Sequence, residues 1–287
     1  MQRASSIQAQ TQQIDTVEDL TGVFESIAST QVAKIKDKVQ ISKEFFDLLW
    51  THYSAIRSDP NLRLKFTSEN RAGGKKVFVI ISAEAGLSGD IDERLIELML
   101  AEYDSKTTDV IVLGSHGATQ LKQKGIPYVR YFQVPESESY IDVSPVMDAI
   151  KNYSGITVYY EEYISLGVQG VKKLDLFSTL QDMSSKTPDS DYESISPDTI
   201  FEPSLDEIAD LMESAMMALT FSQAILESSL AQDASRFNAM AAAKKRAWEL
   251  LNYYRLEYHR AKRSEGDRRL REVMISLKRK RRTRVNQ

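Results

Sequence analysis

Ser204-Leu205-Asp206-Glu207-Ile208-Ala209-Asp210-Leu211-Met212 opens a stretch that runs to Lys278-Arg279-Lys280-Arg281-Arg282 without a proline and with one glycine, Gly266. A run that long without breakers reads as one continuous helix. Ser204 stands as N-cap directly after Pro203, with Glu207 three residues on, which is a capping box. Apolar or small residues recur at alternating steps of three and four: Ile208, Met212, Ala215, Leu219, Ser222, Leu226, Leu230, Ala234, Phe237 and Ala241. The pattern resumes at Trp248, Leu251, Tyr254, Tyr258 and Ala261. This is the heptad seam of a coiled coil, too long for a helix inside a globular domain. At its ordinary rise such a helix is about 110 Å long. It must project, and it needs a partner helix.

The other end of the chain offers that partner. From Ser6 to Arg57 there is no proline and one glycine, Gly22. Ile14, Val17, Leu20, Phe24, Ile27, Ile35, Phe45, Leu49 and Ile56 fit a helical stripe. The stripe is impure, because Gln31, Lys38 and His52 fall on or near it. Polar seam positions cost a coiled coil stability, so the helix is expected to be sheathed by other subunits or loosely packed. Asp59-Pro60-Asn61 ends it.

Between the two helices the periodicity changes. Val77-Phe78-Val79-Ile80-Ile81 and Asp109-Val110-Ile111-Val112-Leu113-Gly114 are short apolar runs rich in β-branched residues, the mark of buried parallel strands. Val129 to Val134 and Ile156 to Tyr163 read as further strands. Helices are expected around Leu95 to Leu100, Ala118 to Gln123 and Val143 to Asn152. Strands alternating with helices imply a small α/β layer with a mainly parallel sheet. Ser184 to Ser196 is polar, with Pro188 and Pro197 nearby, and reads as a linker. The expected divisions are a helix over 1–60, an α/β domain over 73–183, a linker over 184–203 and a long helix with a basic tip over 204–287. The two terminal helices run antiparallel and can pair.

Composition narrows the chemistry. The chain has 287 residues, 42% of them hydrophobic, and no cysteine, so neither a disulfide framework nor a thiolate metal site is possible. A net charge of -4 argues against a general nucleic-acid binder. No apolar run is long enough to span a bilayer, and Met1 to Gln13 lacks the apolar core of a secretory signal. Gly86 and Gly89 precede a helix, but a dinucleotide-binding fingerprint needs a third spaced glycine. Asp90 stands where a nucleophile elbow around Ser88 needs glycine. Gly73-Gly74-Lys75 lacks the spacing of a phosphate loop. Asp90, Asp92 and Glu93 are carboxylates in a helix's first turn, where the dipole favours them without a metal. His116 sits in a Gly-Ser-His-Gly turn, with no Ser/His/Asp or carboxylate pair standing out around it. Tyr253, Tyr254 and Tyr258 are packing residues at this spacing, rather than stacking platforms for bases.

Taken in order, these pieces resemble the gamma subunit of F-type ATP synthases, the central rotor shaft. The resemblance covers nearly the whole chain. Leu20 to Ser29 looks like the family's N-terminal helix motif. Ile81 to Asp92 resembles a first-strand motif reading Thr-Ser-Asp-Arg-Gly-Leu-Cys-Gly-Gly-Phe-Asn. Leu113 to Gly117 resembles an Ile-Gly-x-x-Gly turn, and Tyr159 to Ser165 a Tyr-Asn-Glu-Phe-Val-Ser strand. Ile200-Phe201-Glu202-Pro203-Ser204-Leu205-Asp206-Glu207 is the most specific match, followed by Leu226 to Ser229, Ala234 to Met240 and Leu256 to Ala261. Ala83-Glu84-Ala85 departs from the usual Asp-Arg step, and Ser88 stands at the usual cysteine. Near the helix end the family's Arg-Gln is Lys262-Arg263. Its Thr and Glu fall within Gly266-Asp267-Arg268-Arg269, and its Gly-Ala within Ser276-Leu277.

The resemblance implies an antiparallel coiled coil with an inserted Rossmann-like α/β domain. It implies a non-catalytic torque shaft, without cofactor, that couples rotation to the nucleotide sites of a ring of alpha and beta subunits. Lys262, Arg263 and Arg269, with Phe24, Ile27 and Ala28, would meet the stator, the first three at the catch loops of the beta subunits. Gly86, Leu87 and Gly89 would shape the foot domain. The epsilon subunit and the c-ring are further implied partners, and membrane contact would come only through the complex, at the cytoplasmic face of a bacterial membrane. The altered first-strand motif and helix end also suit a gamma-like shaft that drives another machine without proton transport. A free-standing coiled-coil adaptor is the third class; it would be stable and monodisperse alone.

Overall fold

The computed structural model describes residues 4–57, 74–135, 141–176 and 204–285. The expected linker and the Asp59-Pro60-Asn61 stop lie outside the described residues, as do the side chains of the basic tip beyond Lys278. The chain divides into two units, one formed by Met1–Ser26 and Ala239–Gln287, the other by Ile27–Asn238. The first terminal helix, α1, spans Ala4–Arg57, and the last, α5, spans Leu205–Val285. At the start of α5 the Glu207 amide donates to Ser204 Oγ (3.3 Å), so the cap read from the sequence forms.

In the second unit the strands are β1 (Lys76–Ile81), β2 (Thr108–Leu113), β3 (Arg130–Phe132), β4 (Gly155–Ser165) and β5 (Val168–Asp175). The intervening helices are α2 (Ile91–Leu100), α3 (Ser115–Gln123) and α4 (Ser144–Ile150). The sheet order is β3-β2-β1-β4-β5. All neighbours are parallel except β5, which pairs antiparallel with β4. Alternate residues of each strand feed two cores. Val77, Val79, Ile81, Ile111, Val158 and Tyr160 pack with Val146 and Ile150 of α4 and with Phe221, Ala224 and Ile225 of α5. Phe78, Ile80, Val110, Val112 and Tyr159 pack with Leu95, Ile96 and Met99 of α2 and Leu121 of α3. Burial on both faces is what continuous apolar strands require. The same unit holds a smaller cluster in which Phe46 and Tyr53 of α1 bury Met216 of α5.

In the first unit the two helices run antiparallel. The Ala4 amide donates to the Glu265 carboxylate (3.1 Å), Asp15 pairs with Arg255 (3.6 Å) and Glu25 with Lys244 (2.9 Å). As the residue number rises along α1, its partner's number falls by nearly equal steps along α5. That is the pairing expected of two ends of one chain wound together.

Candidate functional site

The helix pair buries a different face of α1 from the one the apolar pattern marks. Ala4, Ile7 and Thr21 are only 4–8% exposed, and Thr11, Ile14, Glu18 and Glu25 are half-buried. These follow a heptad in which Ile7 and Ile14 are joined by small and polar residues. Val17, Leu20 and Val23 are 50–55% exposed, and Phe24 and Ile27 are exposed too. On α5 the buried positions are Met240, Ala247 and Leu251, whereas Trp248, placed on the seam by its spacing, faces solvent. At Gly22 the Lys244 side chain lies 3.6–3.9 Å from where a Cβ would stand, an ordinary contact distance. The buried Thr21 hydroxyl satisfies itself by donating to the Val17 and Glu18 carbonyls.

The unit therefore presents an outward apolar stripe. On α1 it is Val17, Leu20, Val23 and Phe24; on α5 it includes Leu250, Tyr253, Leu256, Leu270, Val273, Met274 and Leu277. Burying one large apolar side chain is worth roughly 1.5–3 kcal/mol, and here that contribution is left uncollected. Patches of this kind mark interaction surfaces.

The residues proposed for a stator contact fall in separate places. Lys262, Arg263 and Arg269 are exposed. Lys262 and Arg269 are a heptad apart and share a face, and Lys262 Nζ stands 5.7 Å from the centre of the Tyr258 ring. The Glu25–Lys244 pair sets Phe24 beside the Lys245 level of α5. By helical rise that is about 36 Å from Arg269. Phe24 and Ile27 are exposed, while Ala28 is buried.

In the sheet unit the chain reverses direction across the sheet between β1 and β4, and the crevice beyond their carboxyl ends is where such folds take ligands. Here α5 fills it. Ser228 Oγ reaches the Ile81 carbonyl (3.3 Å) and Glu161 Oε2 (2.7 Å), and Gln232 Nε2 donates to the same Glu161 oxygen (2.6 Å). One turn on, Ser235 Oγ donates to the Ser88 carbonyl (2.6 Å), and the Arg236 guanidinium donates to the Ala85 and Gly86 carbonyls. The β1–α2 loop is thus strapped to α5. Within it Leu87 and Gly89 have φ of 70° and 74°, while Gly86 has open space where a Cβ would be. The tight glycines lie elsewhere. A Cβ on Gly114 (φ 97°) would stand 2.1 Å from the Ser82 carbonyl oxygen, and one on Gly117 2.3 Å from Ser82 Oγ. Glu84 takes up the slack of the altered motif: its carboxylate accepts from the Ser115 amide (3.2 Å) at the start of α3 and from the Val134 amide (2.6 Å).

His116 is more than a turn residue. Its Nδ1 meets Asp92 Oδ2 (2.8 Å), which also accepts from Ser88 Oγ (2.8 Å), while Asp92 Oδ1 accepts from the Ala83 amide (3.0 Å). Serine, histidine and aspartate are gathered, but the serine is fully buried and bonds the aspartate, not the imidazole. That geometry locks a loop and activates no nucleophile. Among the described residues no cluster of three metal-ligating side chains forms, and no helix is long and apolar enough to cross a membrane.

A family model described as ATP synthase matches residues 3–276. The chain belongs to that family. Its curated relatives are gamma chains. The ATP synthase gamma chain of Clostridium novyi is 22% identical over 278 residues, covering 94% of this chain and 95% of its own length. That of Bifidobacterium adolescentis is 23% identical over 258 residues, covering 83% and 84%. In fold the chain is similar to the central stalk of the Tetrahymena thermophila mitochondrial ATP synthase: TM-score 0.56, 17% identity, 78% of this chain and 99% of that one. It is also similar to the Euglena gracilis mitochondrial ATP synthase rotor: TM-score 0.62, 12% identity, 91% and 98%. This is a divergent ATP synthase gamma chain. Its divergence reaches the core, since Asp92 and Glu161 stand where the resembled motifs carry asparagine. Sequence reasoning passed over both, although acids at two asparagine positions were a readable signal.

Proposed function

We propose that this gamma chain is the rotating shaft of an F-type ATP synthase or ATPase and does no chemistry of its own. The observation that carries the reading is the outward apolar stripe of the helix pair, set over a seam to which α1 gives Ile7 and Ile14 but otherwise small and polar residues. A pair built for its own stability would put Val17, Leu20 and Leu256 inside. One built to turn within a sleeve of alpha and beta subunits keeps them outside. A shaft shifts a site's equilibrium only by the difference in its contacts with the site's states. The asymmetry of two unequal helices supplies that difference to three otherwise equivalent nucleotide sites.

In this reading Lys262, Arg263 and Arg269 offer donors to carboxylates on the beta subunits' catch loops. Phe24 and Ile27 form a separate, apolar bearing lower on the shaft, with the buried Ala28 setting its helix spacing. Residues 1–60 and 204–287 are the shaft. Residues 73–183 are the foot, shaped in part by Gly86, Leu87 and Gly89, and meet the epsilon subunit and the c-ring; residues 184–203 link the two. The complex sits at the cytoplasmic face of a bacterial membrane, and the chain touches the membrane only through it.

The test is purification of the tagged full chain from native membranes. Recovery of stoichiometric alpha and beta subunits supports the shaft, and a stable monodisperse chain recovered alone overturns it. Co-isolation of the c-ring separates a proton-translocating synthase from a shaft that drives another machine.

A further inference from the structure

One buried titratable group has no part in the shaft reading. Glu161 is fully buried on β4. Its Oε2 accepts from Ser228 and Gln232 of α5. Its Oε1 is enclosed and has no donor among the described residues. Asp92 of α2, equally buried, is the charge that acts most strongly on Glu161. Asp92 is an acceptor towards the Ala83 amide and the Ser88 hydroxyl, and it meets His116 Nδ1 of α3. The groups α5 presents are the neutral Ser228 and Gln232, and the β5 residue paired with Glu161 is the apolar Val171. The only imidazole in the cluster, His116, is bonded to Asp92. Two carboxylates acting on one another away from water cannot both ionise, and a buried acceptor left without a donor is costly.

We propose that Glu161 carries a proton in the folded chain, and that this buried proton clips the long helix α5 onto the sheet. The proton sits on Glu161 Oε1, the oxygen without a donor, and Oε2 stays free to accept from both α5 side chains. Burial first, and the charge of Asp92 second, push the Glu161 carboxyl well above its ordinary value of 4.5. A carboxyl raised on folding stabilises the folded state fully below its ordinary value and loses that contribution as pH rises through the raised one. The hold of the foot on α5 therefore weakens with alkalinity, by up to about tenfold in the folding constant per pH unit across the window. The inference goes beyond the shaft reading and stands whether or not the chain turns.

The experiment follows unfolding of the full chain by Trp50 fluorescence in a Trp248→Phe background, between about pH 5 and about pH 9. The comparison is Glu161→Gln, whose amide oxygen accepts from Ser228 and Gln232 without a titratable proton. The expected result is a midpoint that falls with pH much more steeply in the parent than in the variant, where the half-buried Glu227 and buried Asp233 carboxyls, also raised by burial, still contribute a fall. Infrared spectra of the parent should show a protonated-carboxyl stretch at neutral pH that Glu161→Gln removes. In Asp92→Asn that band should vanish at lower pH, because the neighbouring charge is gone. Parallel declines in parent and variant overturn the proposal. If Glu161→Gln does not fold, the parent's infrared titration decides alone, and loss of the band within the ordinary carboxylate range sinks the idea.

Discussion

In the sheet unit Val77, Val79, Ile80, Leu95 and Leu113 are fully buried, whereas in the helix-pair unit Val17, Leu20 and Leu256 stand half exposed or more. Both regions spend similar residues, with opposite results. The sheet has two apolar faces and covers each with helices of the same chain. A two-helix unit has one internal seam, and α1 fills this one with Ile7 and Ile14 but otherwise with alanine, threonine and half-buried glutamate. The difference teaches where each region draws its stability. The sheet unit covers its own apolar faces, while the helix pair leaves apolar side chains on its outside. The two tryptophans make the contrast measurable, since Trp50 lies in the sheet unit and Trp248 in the helix pair. Removing one leaves a fluorescent reporter of the other.

The largest effect is expected at Gly114. Its positive φ and the Ser82 carbonyl 2.1 Å from an added Cβ leave no room for Gly114→Ala. The sheet unit should lose more than about 4 kcal/mol in denaturant titrations read at Trp50. Next comes a matched pair. Leu95→Ala empties a fully buried site and should cost about 2–5 kcal/mol. Leu256→Ala on the exposed stripe should move the free chain by less than about 0.5 kcal/mol at Trp248, yet weaken co-purification with alpha and beta subunits. Equal stability costs for the two would break the comparison. Glu84→Ala orphans the Ser115 and Val134 amides and should cost about 1–3 kcal/mol, again in the sheet unit alone. The smallest effect belongs to Glu25→Gln, which removes the partner of Lys244. Any shift at Trp248 should disappear as salt is raised, because surface pairs are screened.

Much of the foot is legible in its residues. The apolar runs at Val77 to Ile81 and Val110 to Leu113 form the central parallel strands, and Ser204 caps α5. β5 was harder to read. Lys172 and Lys173 interrupt its apolar residues, as suits an edge strand whose outer side meets water. Two acids of the polar lock stood out at asparagine positions, but their meeting was illegible for another reason. Asp92, His116, Glu161 and Ser228 come from four elements, and no local window contains more than one of them.

The sequence by itself determined the elements, because breakers, caps and periodicity act within a few residues. It determined that two long helices flank a parallel α/β layer, and that their pattern is not a pure coiled-coil seam. Only the tertiary structure decided which face of α1 turns inward. Periodicity locates a stripe but says nothing of what covers it, and the packed helices bury Ala4, Ile7 and Thr21 while Val17, Leu20 and Phe24 stay exposed. It also decided that two distant acids, Asp92 and Glu161, are fully buried and act on one another. A carboxyl's proton depends on its neighbours in space, and those are chosen by the fold.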